Sequence, residues 1–458
     1  MLKVSTSRVL VAYLQAIRGV CADCPGRERL GYGGDMMTSA EAGIYMFDAT
    51  SFYAKRAMDY ADARRPNYGL PETAPFVGIN SCLTNPELGK GGLGGSGIAA
   101  MPWGSTLAHT LHLLHVHADD NRTIGEHFPV AVGWLSLLEA ARRPDGTLHN
   151  ALGMPGACNG TGEALMGTAF LYQQSTLMAG LSEIVGRPDL QSHYTALANT
   201  TYDAFNRVFY NATAGAYSDG LGTTDQSAQI YALGLGLVPE EEEGRVVDAL
   251  LADVKRANNS FVVDAFSVWL MHCLVELGAG EEVMDWMLST TYPSYGYFLR
   301  NDIITATAMM EHWNTPTDDS SHNHAWLNSV SLFYRSRLLG IMPTGAGWAK
   351  IRVRPWLLGR ANLTWARGSV SSIRGVVQSS WLLNPSTGAF QLNVSLPANL
   401  EAARVHVPVA GHAAGVNSVR PCPGAKAIGS PYSLGGKWFV EYDALMVGAE
   451  TCTFSSMA

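Results

Sequence analysis

The chain lacks any run of apolar residues long enough to cross a membrane, which takes about eighteen in succession. The N-terminal segment, residues 1–19, is partly apolar but is interrupted by Arg8, Gln15 and Arg18. These interruptions also make it a poor secretory signal, whose apolar stretch is continuous, and they favour an amphipathic helix. The sequence therefore predicts no membrane partner.

An excess of positive charge is also missing. The formal net charge is −8, from 31 lysines and arginines against 39 aspartates and glutamates. Domains that bind nucleic acid usually carry a basic patch or stripe that meets the phosphate backbone. We therefore predict no nucleic-acid partner.

Cysteine is scarce, and seven cysteines in 458 residues do not make a disulfide framework. Cys21 and Cys24 form a C-x-x-C pair, but no second pair accompanies it and Pro25 follows. A zinc or redox role for this pair is therefore not predicted. Cys422 and Cys452 could bridge within the C-terminal part. The odd count leaves at least one thiol free.

Four histidines, at positions 109, 112, 115 and 117, lie on one predicted helix. His109 and His112 are three residues apart, near one helix face, where they could share a metal ion. No carboxylate or cysteine completes a zinc set with them. The sequence therefore predicts no metal and no other cofactor.

Length and periodicity indicate two domains. The chain exceeds the roughly 250–300 residues at which a single core stops growing. Up to about residue 340, apolar residues recur at helical spacing, including one long helix predicted over residues 39–65. The helices number about twelve, as six helical hairpins require. From residue 341 the period changes to strand alternation bounded by Gly, Pro and Asn turns, which predicts a smaller all-β sandwich.

The residue types most indicative of chemistry cluster in DCPGRERLGYGGD, residues 23–35. Asp23, Glu28 and Asp35 stand there among two arginines, with Tyr32 as the one large ring. Such a set suits a sugar, because carboxylates accept from hydroxyls, a ring stacks on the sugar face, and a carboxylic acid can protonate a leaving oxygen. The alternative is a polar surface loop held by salt bridges. The glycine-rich run, which permits close backbone approach, weighs against that alternative.

This segment resembles the signature DCPxRERLGYxGD of the bacterial and fungal α-L-rhamnosidases, glycoside hydrolase family 78. The resemblance implies a mainly α fold, with an (α/α)6 catalytic barrel over residues 1–340 and the β-sandwich over residues 341–458. Members usually carry β-domains ahead of the barrel. Here the signature begins after 22 residues, so we expect those N-terminal β-domains to be absent.

The resemblance also assigns roles within the signature. It implies that Glu28 is the general acid and that Asp23 and Asp35 hold substrate hydroxyls. Arg27 and Tyr32 are expected beside them as substrate-binding residues. Many members have Trp at the position of Tyr32, and the exchange keeps an aromatic ring.

A second segment, MMEHWNTPTDDSSHNHAW at residues 309–326, contains Glu311, Trp313 and His324. Taken alone, a glutamate followed by a histidine is more often a solvated helix end. The resemblance implies instead that Glu311 is the general base and that His324 contacts the substrate, with Trp313 at the same site.

Trp103 ends a long loop over residues 66–104, and loops of this length in compact domains are often functional. It is similar to the Trp of the family's Trp-Gly-Asp element, where the indole faces the sugar. Ser105 occupies the position of that Asp, so one substrate contact is missing. The alternative for Trp103 is a core aromatic.

Together these residues and the resemblance to the family imply an inverting, exo-acting hydrolase that releases terminal α-L-rhamnose from a rhamnosylated small molecule or polysaccharide. Inversion needs the two carboxyl groups about 6.5–9.5 Å apart, so Glu28 and Glu311 are expected to face each other across one pocket. Two alternatives stay open: a non-catalytic sugar-binding relative, which Ser105 favours, and a hydrolase or lyase of another deoxysugar or uronate on the same barrel. The oligomeric state is not predicted.

Seven Asn-X-Ser/Thr sequons are more than a cytosolic protein would be expected to carry by chance. We therefore expect a glycoprotein of the secretory pathway or the extracellular space whose signal is not in this chain. The sequon asparagines are Asn121, Asn159, Asn199, Asn211, Asn258, Asn362 and Asn393.

Overall fold

The computed structural model describes most of the chain from Asp23 onward. The described residues are 23–24, 26, 28–65, 69–76, 101–149, 162–218, 226–263, 265–300, 308–313, 321–358, 363–444 and 451–457. Arg27, most of the loop over residues 66–104, the predicted N-terminal helix and the sequons at Asn159 and Asn362 lie outside this part.

The described part contains twelve α-helices before residue 340. In chain order, α1 to α12 are Gly33–Met46, Thr50–Asp62, Thr106–Ala118, Asn121–Ala140, Glu163–Ile184, Pro188–Phe209, Gln226–Gly234, Glu243–Arg256, Ala265–Leu270, Gly280–Leu288, Tyr295–Arg300 and Val330–Phe333. Two short turns of 3₁₀-helix matter for the barrel: Met271–Val275 extends α9, and Trp326–Ser329 precedes α12.

The helix predicted over residues 39–65 is wrong in its bounds. Helix α1 begins at Gly33, and the chain leaves it through Phe47, whose backbone is extended. Ser39, where the predicted helix would start, lies inside α1, and its hydroxyl donates to the Asp35 carbonyl at 2.6 Å. The segment is therefore the end of α1 followed by α2, an inner and an outer helix of the barrel.

Six inner elements form a closed ring. Helix α1 packs on α3, α3 on α5, α5 on α7, and α7 on α9. Helix α9 contacts both α1 and the turn Trp326–Ser329, and this turn and α12 pack on α1 again. The outer helices α2, α4, α6, α8 and α10 pack against members of this ring or against the turn Met271–Val275. The predicted (α/α)6 barrel is thereby confirmed.

Burial explains which helices lie inside. In α7, every residue from Gln226 to Leu233 is buried, so the helix is covered on all sides. The outer helix α8 buries only one stripe, formed by Val246, Val247, Leu250 and Val254. Such a stripe is typical of a surface helix, whereas burial all round requires neighbours on every face.

The C-terminal part is a β-sandwich, as predicted. A two-stranded ribbon in the barrel, Tyr210–Asn211 with Ala216–Tyr217, is β1 and β2. The sandwich strands β3 to β11 are Ile341–Pro343, Lys350–Val353, Trp365–Ser372, Gly375–Leu383, Ala389–Ser395, Ala402–Val409, Lys426–Leu434, Lys437–Asp443 and Cys452–Met457. One sheet has the order β3-β4-β8-β10-β9 and the other β11-β7-β6-β5. Their inward side chains alternate with exposed ones, as in Phe390, Leu392 and Val394.

The barrel and the sandwich meet where β3 begins at Ile341. Gly340 has a φ of +73°, and a Cβ there would stand 2.1 Å from the Arg354 carbonyl carbon, so this turn requires glycine. The Tyr45 hydroxyl donates to the Ile341 carbonyl at 3.3 Å. The Trp348 indole donates to His117 Nδ1 at 3.2 Å. These contacts join the inner helices α1 and α3 to the sandwich.

A disulfide joins Cys422 and Cys452, which confirms the pairing that the sequence allowed. It ties strand β11 to the loop that precedes β9. Among the described helices, none combines the length and the apolar character that crossing a membrane requires.

Candidate functional site

The segment that carries Asp23 and Glu28 folds back on itself. The backbone N–H of Asp23 donates to the Leu30 carbonyl at 3.0 Å, and the N–H of Leu30 donates to Asp23 Oδ1 at 3.0 Å. Arg29 closes the turn with a φ of +62° and donates its N–H to the Cys24 carbonyl at 3.1 Å. The turn places the side chain of Glu28 beside those of Asp23 and Cys24.

The Cys24 thiol lies between two carboxyl groups. Its sulfur is 2.6 Å from Asp23 Oδ2 and 3.0 Å from Glu28 Oε2, and the side chain is fully buried. Burial raises the pKa of Asp23 to about 7, and a hydrogen bond with Glu28 and the charge of Asp35 add to this effect. Burial and hydrogen bonds to both carboxyls likewise raise the pKa of the Cys24 thiol well above its usual value. The cluster therefore holds protons near neutral pH.

Asp35 and His324 form a buried pair across the closure of the barrel. His324 Nε2 is 2.5 Å from Asp35 Oδ1, and the side chains are 3% and 4% exposed. Burial disfavours the charged imidazole, but the Asp35 carboxylate, with Glu311 and Asp23 further away, outweighs it and raises the pKa of His324. The His324 ring also packs against the Trp326 indole, with 4.7 Å between centroids and the ring planes tilted by 53°.

Backbone pairing between the ends of the second segment positions Glu311. The N–H of Glu311 donates to the Ser321 carbonyl at 3.0 Å, and the N–H of His324 donates to the Met309 carbonyl at 2.8 Å. The Ser321 N–H donates to Glu311 Oε2 at 2.6 Å, and the Trp326 indole donates to the Glu311 carbonyl at 2.7 Å. Both the backbone and the carboxylate of Glu311 are thus fixed.

These two segments converge on Cys24. One side-chain ligand atom each from Cys24, Glu311 and His324 lies within 4.8 Å of the others. Glu28 Oε2 is 3.0 Å from the same sulfur. The carboxyl groups of Glu28 and Glu311 are therefore no farther apart than about 7.8 Å, the sum of the two distances that meet at sulfur. Residues 283 positions apart share one site.

Tyr32 lies at the edge of this cluster. It is half-buried and forms a β-bridge with Thr73. Burial, followed by the negative charges of Glu28 and Asp23, raises the pKa of its hydroxyl well above the usual value. The Tyr32 hydroxyl therefore interacts electrostatically with the acidic cluster.

The start of α1 packs tightly on Trp103. A Cβ on Gly33 would stand 2.2 Å from the Trp103 carbonyl oxygen, and one on Gly34 would stand 2.8 Å from its indole. Trp103 is only 4% exposed and meets Phe266 edge on at 5.2 Å. Trp103 therefore packs as a core aromatic, the alternative that the sequence left open. A contact between Trp103 and the substrate stays a prediction.

Trp313 belongs to an aromatic cluster. It stacks on Phe298 at 5.0 Å and meets Tyr295 and Trp286 edge on at 5.2 and 5.5 Å. Because Trp313 is two residues after Glu311, the cluster anchors the segment that carries Glu311. The predicted contact of Trp313 with substrate is untested by these contacts.

Sequence reasoning missed three members of the site. Cys24 was recognised only as part of the signature, yet its sulfur is the point at which the carboxyls meet. Trp326 holds both Glu311 and His324, and His312 Nε2 lies 3.8 Å from Glu311 Oε1. All three stand within the two segments already singled out, but nothing in their spacing shows which atoms they contact.

The histidine-rich helix α3 lies at the junction with the sandwich. His117 Nε2 is 3.6 Å from Glu41 Oε1, a carboxylate from α1 that the sequence pattern did not indicate. Its other ring nitrogen accepts from Trp348. Within the described part, both groups of three converging metal-ligand side chains include Cys24 and neither includes these histidines.

The curated proteins to which the chain is similar are described as α-L-rhamnosidases. It is 26% identical over 404 residues to one from Formosa agariphila, covering 84% of this chain and 41% of that protein. It is 28% identical over 400 residues to one from Streptomyces avermitilis, covering 84% of this chain and 35% of that protein. The chain thus spans less than half the length of these relatives.

Solved structures share its fold. The α-L-rhamnosidase from Dictyoglumus thermophilum superposes with a TM-score of 0.82 at 23% identity, over 100% of this chain and 49% of that one. A Streptomyces avermitilis α-L-rhamnosidase complexed with L-rhamnose gives a TM-score of 0.81 at 22% identity, over 99% of this chain and 41% of that one. Both therefore support a barrel followed by a β-domain.

The family models divide the chain at the same place as its secondary structure. The bacterial α-L-rhamnosidase C-terminal domain matches residues 340–420. The bacterial α-L-rhamnosidase six-hairpin glycosidase domain matches residues 4–337, well over half of the chain. The chain belongs to the bacterial α-L-rhamnosidase six-hairpin glycosidase family.

Proposed function

We propose that the chain carries the catalytic part of an inverting α-L-rhamnosidase that removes terminal α-L-rhamnose from glycosides or polysaccharides. The observation that carries this proposal is the approach of Glu28 and Glu311 to within about 7.8 Å of each other around Cys24. That upper limit allows the separation of about 6.5–9.5 Å of inverting carboxyl pairs and also the roughly 5–5.5 Å of retaining ones, so the distance supports a two-carboxylate mechanism and the anomer released first tests inversion. The curated relatives and the family support the choice of sugar.

In this mechanism Glu28 protonates the glycosidic oxygen as its bond to the anomeric carbon breaks. A water on the opposite face of the sugar attacks that carbon and gives its proton to Glu311. The hydrogen bond from the Ser321 N–H to Glu311 Oε2, at 2.6 Å, fixes the position of the carboxylate assigned as the base. Glu28 is exposed, and its carboxyl contacts the Cys24 thiol at 3.0 Å and hydrogen-bonds with Asp23, so a proton can be held among these groups.

The remaining side chains would orient the sugar. The pair of Asp35 and His324 is rigid because each side chain fixes the other and both are buried. We assign this pair and Asp23 to the ring hydroxyls, and the half-buried ring of Tyr32 to the sugar face. The predicted roles of Arg27, Trp103 and Trp313 remain part of the same proposal.

The paired-carboxylate mechanism predicts a large loss of rate when either group is neutralised. Glu28→Gln and Glu311→Gln should each lower kcat by about 10²–10⁴-fold, the usual contribution of a general acid or base. Release of L-rhamnose from an alkyl α-L-rhamnoside, whose poor leaving group needs the proton from Glu28, measures this, with circular dichroism to verify folding. Glu126→Gln, at an exposed position on α4, is the matched control and should retain the wild-type rate.

Parallel assays with p-nitrophenyl glycosides of other deoxysugars and uronates test the choice of sugar independently of the two-carboxylate mechanism. Hydrolysis of another sugar with both glutamates required would keep the mechanism and replace the substrate. A folded wild-type protein that binds L-rhamnose but cleaves none of these compounds would establish a sugar-binding relative instead. A near-normal rate in either Gln variant would remove that residue from the mechanism.

The raised pKa of Asp23 predicts the alkaline limit of activity. Below about pH 7 the Asp23 and Glu28 cluster retains a proton, and above it the cluster ionises, so kcat/KM should fall as the pH rises through about 7. Asp23→Asn removes the carboxyl group whose pKa is raised to about 7, so the fall in kcat/KM should move away from pH 7. A pH profile with an unmoved alkaline limb in a folded Asp23→Asn variant would contradict this assignment.

We further propose that the protein passes through the secretory pathway of a eukaryotic cell. The support is the number of sequons, of which Asn121, Asn199, Asn211 and Asn258 are exposed in the described part. Asn258 also has a φ of +56° and lies just beyond the end of α8 at Arg256.

Expression of the full-length gene in a eukaryotic host tests the compartment. The protein should reach the medium with a mass above that of the polypeptide, and peptide N-glycosidase F should remove the excess. Asn121→Gln should remove one glycan, while Asn301→Gln, an asparagine outside any sequon, should leave the mass unchanged. An unmodified product retained in the cytosol would refute the proposal.

A further inference from the structure

We propose that Cys24, Glu311 and His324 form a binding site for a thiophilic divalent cation such as Zn²⁺ or Cd²⁺, and that the bound cation inhibits catalysis. The inhibition rests on the proposed function, because the cation would occupy the carboxylate assigned as the base. Cation binding itself does not depend on that function. One ligand atom from each residue already lies within 4.8 Å of the other two.

The donor set is one that zinc takes in proteins. Zinc binds thiolate sulfur at about 2.3 Å, imidazole nitrogen at about 2.0–2.1 Å and carboxylate oxygen at about 2.0–2.2 Å. Ligand atoms around a tetrahedral ion at those lengths stand roughly 3.3–3.8 Å apart. Side-chain movements of about 1 Å would bring the present atoms to that spacing. Three protein ligands leave the fourth position to water.

His324 has the environment of a metal-binding histidine. Its Nε2 is engaged by the Asp35 carboxylate at 2.5 Å. Its Nδ1 is buried and has no hydrogen-bond partner among the described residues. A ligating histidine typically gives one ring N–H to a carboxylate and the other nitrogen to the metal, and the carboxylate fixes the tautomer and the ring orientation. Asp35 supplies that support here.

The charge around Cys24 favours a cation. The sulfur is within hydrogen-bond distance of the carboxyl groups of Asp23 and Glu28, and these two residues form a second group of converging ligands with it. When the cation binds, the S–H bond of Cys24 and the Nδ1–H bond of protonated His324 break, both protons leave to solvent, and a sulfur–metal and a nitrogen–metal bond form. The bound ion then offsets the negative charge that Asp23 and Glu28 carry when they are ionised beside the buried sulfur.

Direct titration of the purified, chelator-treated chain with Cd²⁺, without substrate, tests the site. Binding should give the ultraviolet charge-transfer absorption of a cadmium thiolate. Cys24→Ser should abolish that absorption, whereas Cys273→Ser, which removes the other free thiol of the described part, should preserve it. Asp35→Asn should weaken the affinity by about 10–100-fold, the usual effect of losing the carboxylate behind a ligating histidine.

Further variants separate this site from other thiols. Glu311→Gln should also weaken Cd²⁺ binding, so the test survives if Cys24→Ser fails to fold. Cys21→Ser should leave the cadmium–thiolate absorption unchanged. If Cys21→Ser loses as much of this absorption as Cys24→Ser, the cation is bound by the C-x-x-C pair and the proposal is overturned. Cadmium absorption that persists in folded Cys24→Ser, or that Cys273→Ser alone removes, would overturn it too.

The inhibitory effect has its own readout. Zn²⁺ should inhibit rhamnoside hydrolysis by wild type and by Cys273→Ser, and a chelator should restore both. Cation binding that depends on Cys24 in a protein whose hydrolysis Zn²⁺ leaves unchanged would overturn the inhibition. If the protein hydrolyses no rhamnoside yet binds Cd²⁺ through Cys24, the cation site stands and the proposed function fails.

Discussion

The buried hydrogen bond between Asp35 and His324 depends on the closure of the ring of helices. It joins the first turn of α1 to the chain just before the last inner element, 289 residues later. Both side chains are almost completely buried, and removing one partner of such a pair typically costs about 3–5 kcal/mol because the other charge is left uncompensated. The pair therefore fixes the two segments of the site relative to each other. The approach of Glu28 to Glu311 follows from that constraint.

Helical periodicity is sufficient to predict the hairpins, because each helix must bury an apolar face whatever its neighbours are. The same periodicity cannot locate the break at Phe47 or place Ser39 inside a helix. Helix α1 is buried almost all round, so its sequence shows little contrast between faces. The boundary near residue 340 is visible because the period changes there from helical to alternating.

The candidate site is predictable in its residue types and not in its contacts. Carboxylates in two distant segments can be recognised from the sequence, but their convergence on the Cys24 sulfur depends on ring closure. Trp103 and Trp313 show the converse, since both are packed against aromatic neighbours. The sequence around a tryptophan beside an acidic motif is the same whether the indole faces a sugar or packs in the core.

The stereochemistry of the released sugar tests the central assignment most directly. If Glu28 protonates the leaving oxygen while Glu311 activates water on the opposite face, hydrolysis of an α-rhamnoside must first release β-L-rhamnose. Proton NMR of the anomeric signal during the first turnovers distinguishes the two anomers before mutarotation mixes them. Initial appearance of the β-anomer is the predicted result. Initial release of α-L-rhamnose would show retention, which needs carboxyl groups about 5–5.5 Å apart and a covalent intermediate, and would contradict the roles proposed for both glutamates.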